Sequence, residues 1–305
     1  MKIIRARVSG FCMGVRRAVN MANEAAAGTG GGVYTFGPLI HNARVLENLK
    51  KNGIKILDEV NINSVPPGSS VVIRAHGIPP EKEKILADKN IKILDATCPH
   101  VKVSQKKAEQ YAGKGYCIFL AGEKDHAEII GIRGYANSAA ASAAAAGPVC
   151  IIAGNPAEAR AEAEKLFRKK PDAKTVLIGQ TTISPQEFKS IGTGIQSFFP
   201  NLEIVETICN STEERRNALR DLCGETNAVI IAGSGESANT RRLLSLAREM
   251  GKPCWLVESP ENIPREIRGY ETIGIAAGAS APEELIGEIE RELIACAGSE
   301  ICGCA

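Results

Sequence analysis

Short apolar, β-branched runs alternate along this chain with stretches whose apolar positions recur at helical spacing. That alternation predicts strands joined by helices, the pattern of parallel sheets. Three segments share a longer order of strand, polar turn, cysteine and helix: "IIRARVSGFCMGVRRAV", "IKILDATCPHVKVSQKKA" and "LEIVETICNSTEERRNAL". Each is followed by a strand that ends in glycine: "VYTFGPLIHNARVL", "CIFLAGEKDHAEII" and "AVIIAGSGESANTRRLL". Gly37, Gly122 and Gly233 stand 25, 24 and 24 residues after Cys12, Cys98 and Cys209. A third kind of strand closes each repeat: "VVIRAHGIP", "TVLIGQTTIS" and "ETIGIAAGASAP". The spacing predicts three similar α/β units of parallel sheet flanked by helices, over about residues 1–97, 98–208 and 209–279. A C-terminal helix within 280–305, "PEELIGEIERELIACA", is expected to pack back on the first unit.

In parallel α/β sheets, ligands bind beyond the carboxyl ends of the strands. The polar residues of the repeat fall at that edge. His41, His126 and Ser237 lie four residues past the three glycines, at the expected starts of helices. Unsatisfied N–H groups and partial positive charge there suit an anion, and the Gly/Ser-rich "GSGESANTRR" lets a phosphate approach the backbone. His76, Thr181 and Ser280 follow the closing strands. Glu128 lies two residues past His126; a carboxylate at this edge serves as a proton donor if a desolvated setting raises its pKa, and is otherwise an ordinary solvated helix-start residue. Thr181 positions a water or hydroxyl, or caps a helix. His100 is placed in a helix first turn, outside the site.

The cysteines carry the strongest signal. A single free cysteine is ordinarily a small buried hydrophobe. Cys12, Cys98 and Cys209 instead recur at one place in three repeats. Three converging thiolates hold a metal or an iron–sulfur cluster, and three ligands leave one iron of a four-iron cluster open to substrate. Zinc usually shows paired C-x₂₋₄-C ligands, which these three lack. Cys117, Cys150 and Cys254 fall in apolar strands and Cys223 on a helix, so all four read as core. Cys296, Cys302 and Cys304 belong to the tail. The alanine-rich 136–148 stretch reads as a surface helix or connection.

Composition narrows the classes further. The 305 residues are 44% hydrophobic and 24% charged, with net charge +2 and ten cysteines. The near balance gives no global field for nucleic acid or a membrane surface. No run is long and apolar enough to span a bilayer. The start reads as a strand rather than a signal peptide, which implies a cytoplasmic protein whose cysteines serve as free thiols, metal ligands or catalysts rather than disulfides.

Taken together, "GFCMGVRRAV", "LIHNARVLENL", "IRAHGI", "DATCPHV", "HAEIIG", "GQTTIS", "TIC" and "AGASAP" resemble the 4-hydroxy-3-methylbut-2-enyl diphosphate reductases, in order and over nearly the whole chain. The resemblance implies a pseudo-threefold cloverleaf of α/β units around one [4Fe–4S] cluster, with Cys12, Cys98 and Cys209 as its ligands. It implies His41, His76, His126, Ser237, Asn239 and Ser280 as contacts to a substrate diphosphate. Glu128 matches the proton donor, and Thr181 the threonine near the substrate hydroxyl. It further implies reductive removal of that hydroxyl, yielding isopentenyl and dimethylallyl diphosphate in the last step of the methylerythritol phosphate pathway, with ferredoxin or flavodoxin as electron donor. Two departures stand out: Ala238 replaces a serine usual in the family, and "GIRG", with Ile132 and Arg133, replaces a G-T-x-G-like stretch. A diphosphate-binding module or transferase with structural cysteines, and a cluster-bearing sensor without turnover, are the other classes open to this sequence.

Overall fold

The computed structural model describes residues 1–28, 32–142 and 150–298. Twelve strands form three parallel four-stranded sheets among the described residues. Two compact units emerge, one of residues 1–17, 40–51 and 210–305, the other of 18–39 and 52–209.

The second unit holds two of the sheets. One has the order β3-β2-β4-β5, from Ile54–Leu57, Val33–Phe36, Ser70–Ile73 and Lys92–Asp95. The other has the order β7-β6-β8-β9, from Cys150–Ala153, Cys117–Ala121, Thr175–Gly179 and Glu203–Val205. Strand β6 shows why the sequence ran apolar at every position: Cys117, Phe119 and Ala121 join the core on one face, Ile118 and Leu120 that on the other. A strand covered by helices on both faces has no solvent side to alternate toward. On one face lie α6 (Pro156–Lys169) and α7 (Pro185–Gln196). Both open with a side-chain cap, Asn155 and Ser184, and a proline in the first turn, a combination that satisfies an orphan N–H and presets the first helical φ. On the other face lie α4 (Pro99–Gly113) and α5 (Ala127–Ser142). Residues 136–142 of the alanine-rich stretch finish α5, and 143–148 lie outside the described residues.

The first unit is built on the order β1-β12-β10-β11, from Lys2–Arg5, Thr272–Ala277, Ala228–Ala232 and Cys254–Val257. Helices α8 (Asn210–Glu225) and α9 (Ala238–Glu249) cover one face, and α10 (Glu283–Gly298) the other. Here the strand pairing departs from the expected grouping of 1–97 with 280–305. Strand β1 pairs with β12 in the register Lys2↔Thr272 to Arg5↔Ile275, and α10 packs on that same sheet. The physical reason lies in the repeat. In each sheet the strand preceding a cysteine is the outer strand beside the closing strand: β5 beside β4, β9 beside β8, β1 beside β12. The first strand therefore fills in the last sheet the place that β5 and β9 fill in theirs, and leaves no closing strand as an open edge.

Close approach of α8 to this sheet depends on Gly274 in β12. A Cβ built there would lie 2.8 Å from both Cγ and Cδ2 of Leu222, which is itself 3% exposed. Gly274→Ala should lower the unfolding free energy by about 1–3 kcal/mol, the usual cost of overpacking. Gly224→Ala, on an exposed helical turn with nothing within 4 Å, should leave stability unchanged or raise it by up to about 1 kcal/mol. Urea denaturation of the two variants checks the contrast, and equal effects would refute this packing account.

Candidate active site

In the first unit, Cys12 closes a turn after β1 and immediately precedes α1 (Met13–Gly28). Its backbone N–H donates to the carbonyl of Ala279 at 3.2 Å, and its sulfur accepts from Val15 N at 3.5 Å. Ala279 is the residue before Ser280, just past the end of β12, so one hydrogen bond ties the cysteine to the loop bearing a predicted site hydroxyl. Ser280 is buried, and its Oγ donates to the carbonyl of His41 at 3.2 Å. On the neighbouring strand β10, Gly233 lets the chain turn into α9. Ser237 caps that helix by accepting from Thr240 N. Asn239 is 5% exposed, and its Nδ2 has no hydrogen-bond partner among the described residues. An unpaired buried donor costs about 1–3 kcal/mol, and this one lies at the carboxyl edge of a parallel sheet, where an acceptor from outside the chain would offset that cost. His41 is half-buried and precedes α2 (Ala43–Lys51), whose cap is Asn42: the Asn42 side chain accepts from Val45 N at 3.1 Å.

The second unit repeats the arrangement twice. Cys98 is the N-cap of α4 and makes no side-chain capping bond. Its N–H donates to the carbonyl of Ala75 at 2.9 Å, the residue before His76. Cys209 precedes α8, and its N–H donates to the carbonyl of Thr181 at 2.9 Å. Each of the three cysteines is thus pinned by its amide to a loop that follows the closing strand of a sheet. All three are half-buried and in no disulfide, whereas Cys117, Cys223 and Cys296 are buried.

His76 and His126 meet edge to face, with ring centroids 5.2 Å apart and planes at 90°. His126 stands at the start of α5, and its Nδ1 accepts from the backbone N–H of Glu128 at 3.2 Å, so the proton of its neutral form is carried on Nε2. Glu128 is not solvated: it is 1% exposed. Its Oε1 accepts from Thr181 N at 2.7 Å and its Oε2 from Thr181 Oγ1 at 2.9 Å. The pair joins α5 to the loop after β8.

Two supports were not foreseen. Gln180, fully buried beside Thr181, accepts from Glu123 N at 3.0 Å and donates to Thr182 Oγ1 at 3.0 Å, so it fixes the Gly122 turn against the Thr181 loop. Its only sequence signal is its place in "GQTTIS". Asp95, at the end of β5, accepts from Thr97 N at 2.9 Å and pairs with Lys102 one turn into α4. The carboxylate brackets Cys98 from both sides; burial raises its pKa, but the pairing with Lys102 and the hydrogen bonds from Thr97 together hold it below the ordinary value.

The remaining described cysteines take no part in this edge. Burial pushes the thiol of Cys150 up to about 12 and also raises those of Cys223 and Cys254, which disfavours the thiolate a ligand needs. Cys296, on α10, accepts from Arg268 at 3.4 Å. Cys302 and Cys304 lie outside the described residues. Among the described residues no helix is long and apolar enough to cross a membrane.

Comparison with known proteins agrees with this picture. A relative from Treponema denticola, named 4-hydroxy-3-methylbut-2-enyl diphosphate reductase, is 39% identical over 96% of this chain and 99% of its own length. One of the same name from Aquifex aeolicus is 35% identical over 98% of this chain and 96% of its own. A solved structure described as (E)-4-hydroxy-3-methyl-but-2-enyl diphosphate reductase, the terminal enzyme of the non-mevalonate pathway, matches with a TM-score of 0.72 at 33% identity, over 97% of this chain and all of that one. The E-1-hydroxy-2-methyl-but-2-enyl-4-diphosphate reductase from Plasmodium falciparum matches with a TM-score of 0.83 at 26% identity, over 96% of this chain and 87% of that one. The family described as LytB protein matches residues 3–294, and with three like sheets each presenting a cysteine at its carboxyl edge, the chain belongs to that family.

Proposed function

We propose that this protein is an oxidoreductase that converts 4-hydroxy-3-methylbut-2-enyl diphosphate to isopentenyl and dimethylallyl diphosphate, the closing step of the non-mevalonate route to isoprenoids. The observation that carries the reading is the threefold recurrence of a half-buried cysteine whose amide is tied to a loop beyond a closing strand. The names of the relatives point to the same reaction.

Cys12, Cys98 and Cys209 are the ligands we assign to a [4Fe–4S] cluster. The donor set fits: three thiols, none in a disulfide, each just before a helix whose N-terminal N–H groups favour negative charge on a bound sulfur. When bound, the cluster supplies electrons one at a time and a Lewis-acidic iron for the substrate hydroxyl. The two electrons come from a small carrier of the ferredoxin or flavodoxin type, and the protein works in the cytoplasm.

The protein's own residues do the rest. His41, His76, His126, Ser237, Asn239 and Ser280 are the contacts we assign to the diphosphate; Nε2–H of His126 and the buried Nδ2 of Asn239 are donors suited to phosphate oxygens. Overall, the alcohol takes up two electrons and two protons, the C–O bond breaks, water leaves, and a C–H bond forms on the allylic skeleton. Glu128 delivers the proton to the departing oxygen, directly or through Thr181 Oγ1. Burial of that pair keeps bulk water from competing for the proton.

Anaerobic purification followed by iron and sulfide analysis tests the cluster. Cys98→Ser, and likewise the changes at Cys12 and Cys209, should remove most bound iron, while Cys117→Ser should retain it. A colourless, iron-free parent protein would instead favour a diphosphate-binding module with structural cysteines.

Glu128→Gln keeps an acceptor for Thr181 N but cannot give up a proton. With iron content and diphosphate affinity first shown to be parental, its turnover with a chemical reductant should fall by roughly 10²-fold or more, the scale of general acid catalysis. Turnover within about threefold of the parent would take Glu128 out of the chemistry.

A further inference from the structure

Among the described residues two charged side chains are buried, Glu128 at 1% exposure and Arg215 at 4%. The reaction uses the first; nothing above uses the second. Taking a guanidinium out of water costs several kcal/mol unless its N–H groups are well placed. A methionine at this point of α8 would fill similar space without that cost. The guanidinium of Arg215 spans two segments. Its Nη1 donates to the carbonyl of Ser211 at 3.0 Å and to the Ser211 hydroxyl, both in the first turn of the helix that follows Cys209. Its Nη2 donates to the carbonyl of Gly10 at 2.8 Å.

Gly10 lies two residues before Cys12. Its φ of +73° is in the left-handed region, which other residues adopt at a cost. The Gly10–Cys12 turn is therefore held at two points: Arg215 grips the Gly10 carbonyl, and Ala279 accepts from the Cys12 amide. We propose that Arg215 is a positioning residue for the metal centre, its buried fork fixing the turn that presents Cys12 and placing a permanent positive charge behind it. Lysine does not replace it, because a single ammonium has no rigid fork to bridge Ser211 and Gly10. The inference rests on the reading of Cys12 as a cluster ligand.

The test uses the full chain, purified anaerobically, as Arg215→Met and Arg215→Lys. Partners that orient metal ligands are commonly worth about 10–100-fold in metal retention or activity. In Arg215→Met the lifetime of the cluster in air should fall about tenfold. The reduction potential, read by titration of the electron paramagnetic resonance signal, should move to more negative values, since removal of a nearby positive charge disfavours the reduced, more negative cluster. Arg215→Lys should restore the potential toward that of the parent but not the lifetime, a split that a purely structural role does not produce. Parental lifetime and potential in Arg215→Met would overturn the proposal. Should that variant fail to fold, parental lifetime in Arg215→Lys would overturn it equally. A parent protein without iron would count against the cluster reading itself, whereas iron in the parent with unaffected variants would count against Arg215 alone.

Discussion

The hydrogen bond from each site cysteine's backbone N–H to the neighbouring loop is the constraint on which the rest of this structure turns. Cys12 donates to Ala279, Cys98 to Ala75 and Cys209 to Thr181. In a parallel sheet the outer strand and its neighbour run the same way, so the loops that leave them emerge side by side. A cysteine just past the outer strand then lies beside a residue just past the closing strand. The bond holds the turn that carries the cysteine against the loop that carries a hydroxyl or imidazole, and the same construction serves three times.

Sheet architecture makes this possible at the carboxyl edge and nowhere else. Strands β6, β8 and β10 are buried at every position, so their side chains are committed to packing on both faces. Chemistry has to be carried by the loops beyond them, where glycines such as Gly233 let the chain turn and helices begin with unpaired N–H groups. Polar side chains at these points divide the work. Ser237 and Asn42 satisfy helix ends, Gln180 and Asp95 brace loops, and Asn239 retains a buried donor without a partner among the described residues.

Burial separates Glu128 from an ordinary helix-start glutamate. A solvated carboxylate at that place would do no more than favour the helix dipole. Packed at 1% exposure, it accepts from both the amide and the hydroxyl of Thr181. Cys150, Cys223 and Cys254 show the opposite use of burial, since loss of solvent holds their thiols protonated and leaves them as packing.

The sequence by itself determined the succession of strands and helices, the threefold repeat and the cysteines, histidines and hydroxyls at its turns. These follow from local periodicity, from glycine placement and from equal spacings, all of which are written along the chain. The tertiary structure decided what depends on residues far apart in sequence. Strand β1 joins β12 because the last sheet requires an outer strand, and no local pattern in "KIIR" states which sheet that is. Glu128 finds Thr181, 53 positions away, and Arg215 finds Gly10, 205 positions away, through packing alone. A charged residue in a helical run reads as solvated in any one-dimensional account, and only the closing of neighbouring elements over it shows otherwise.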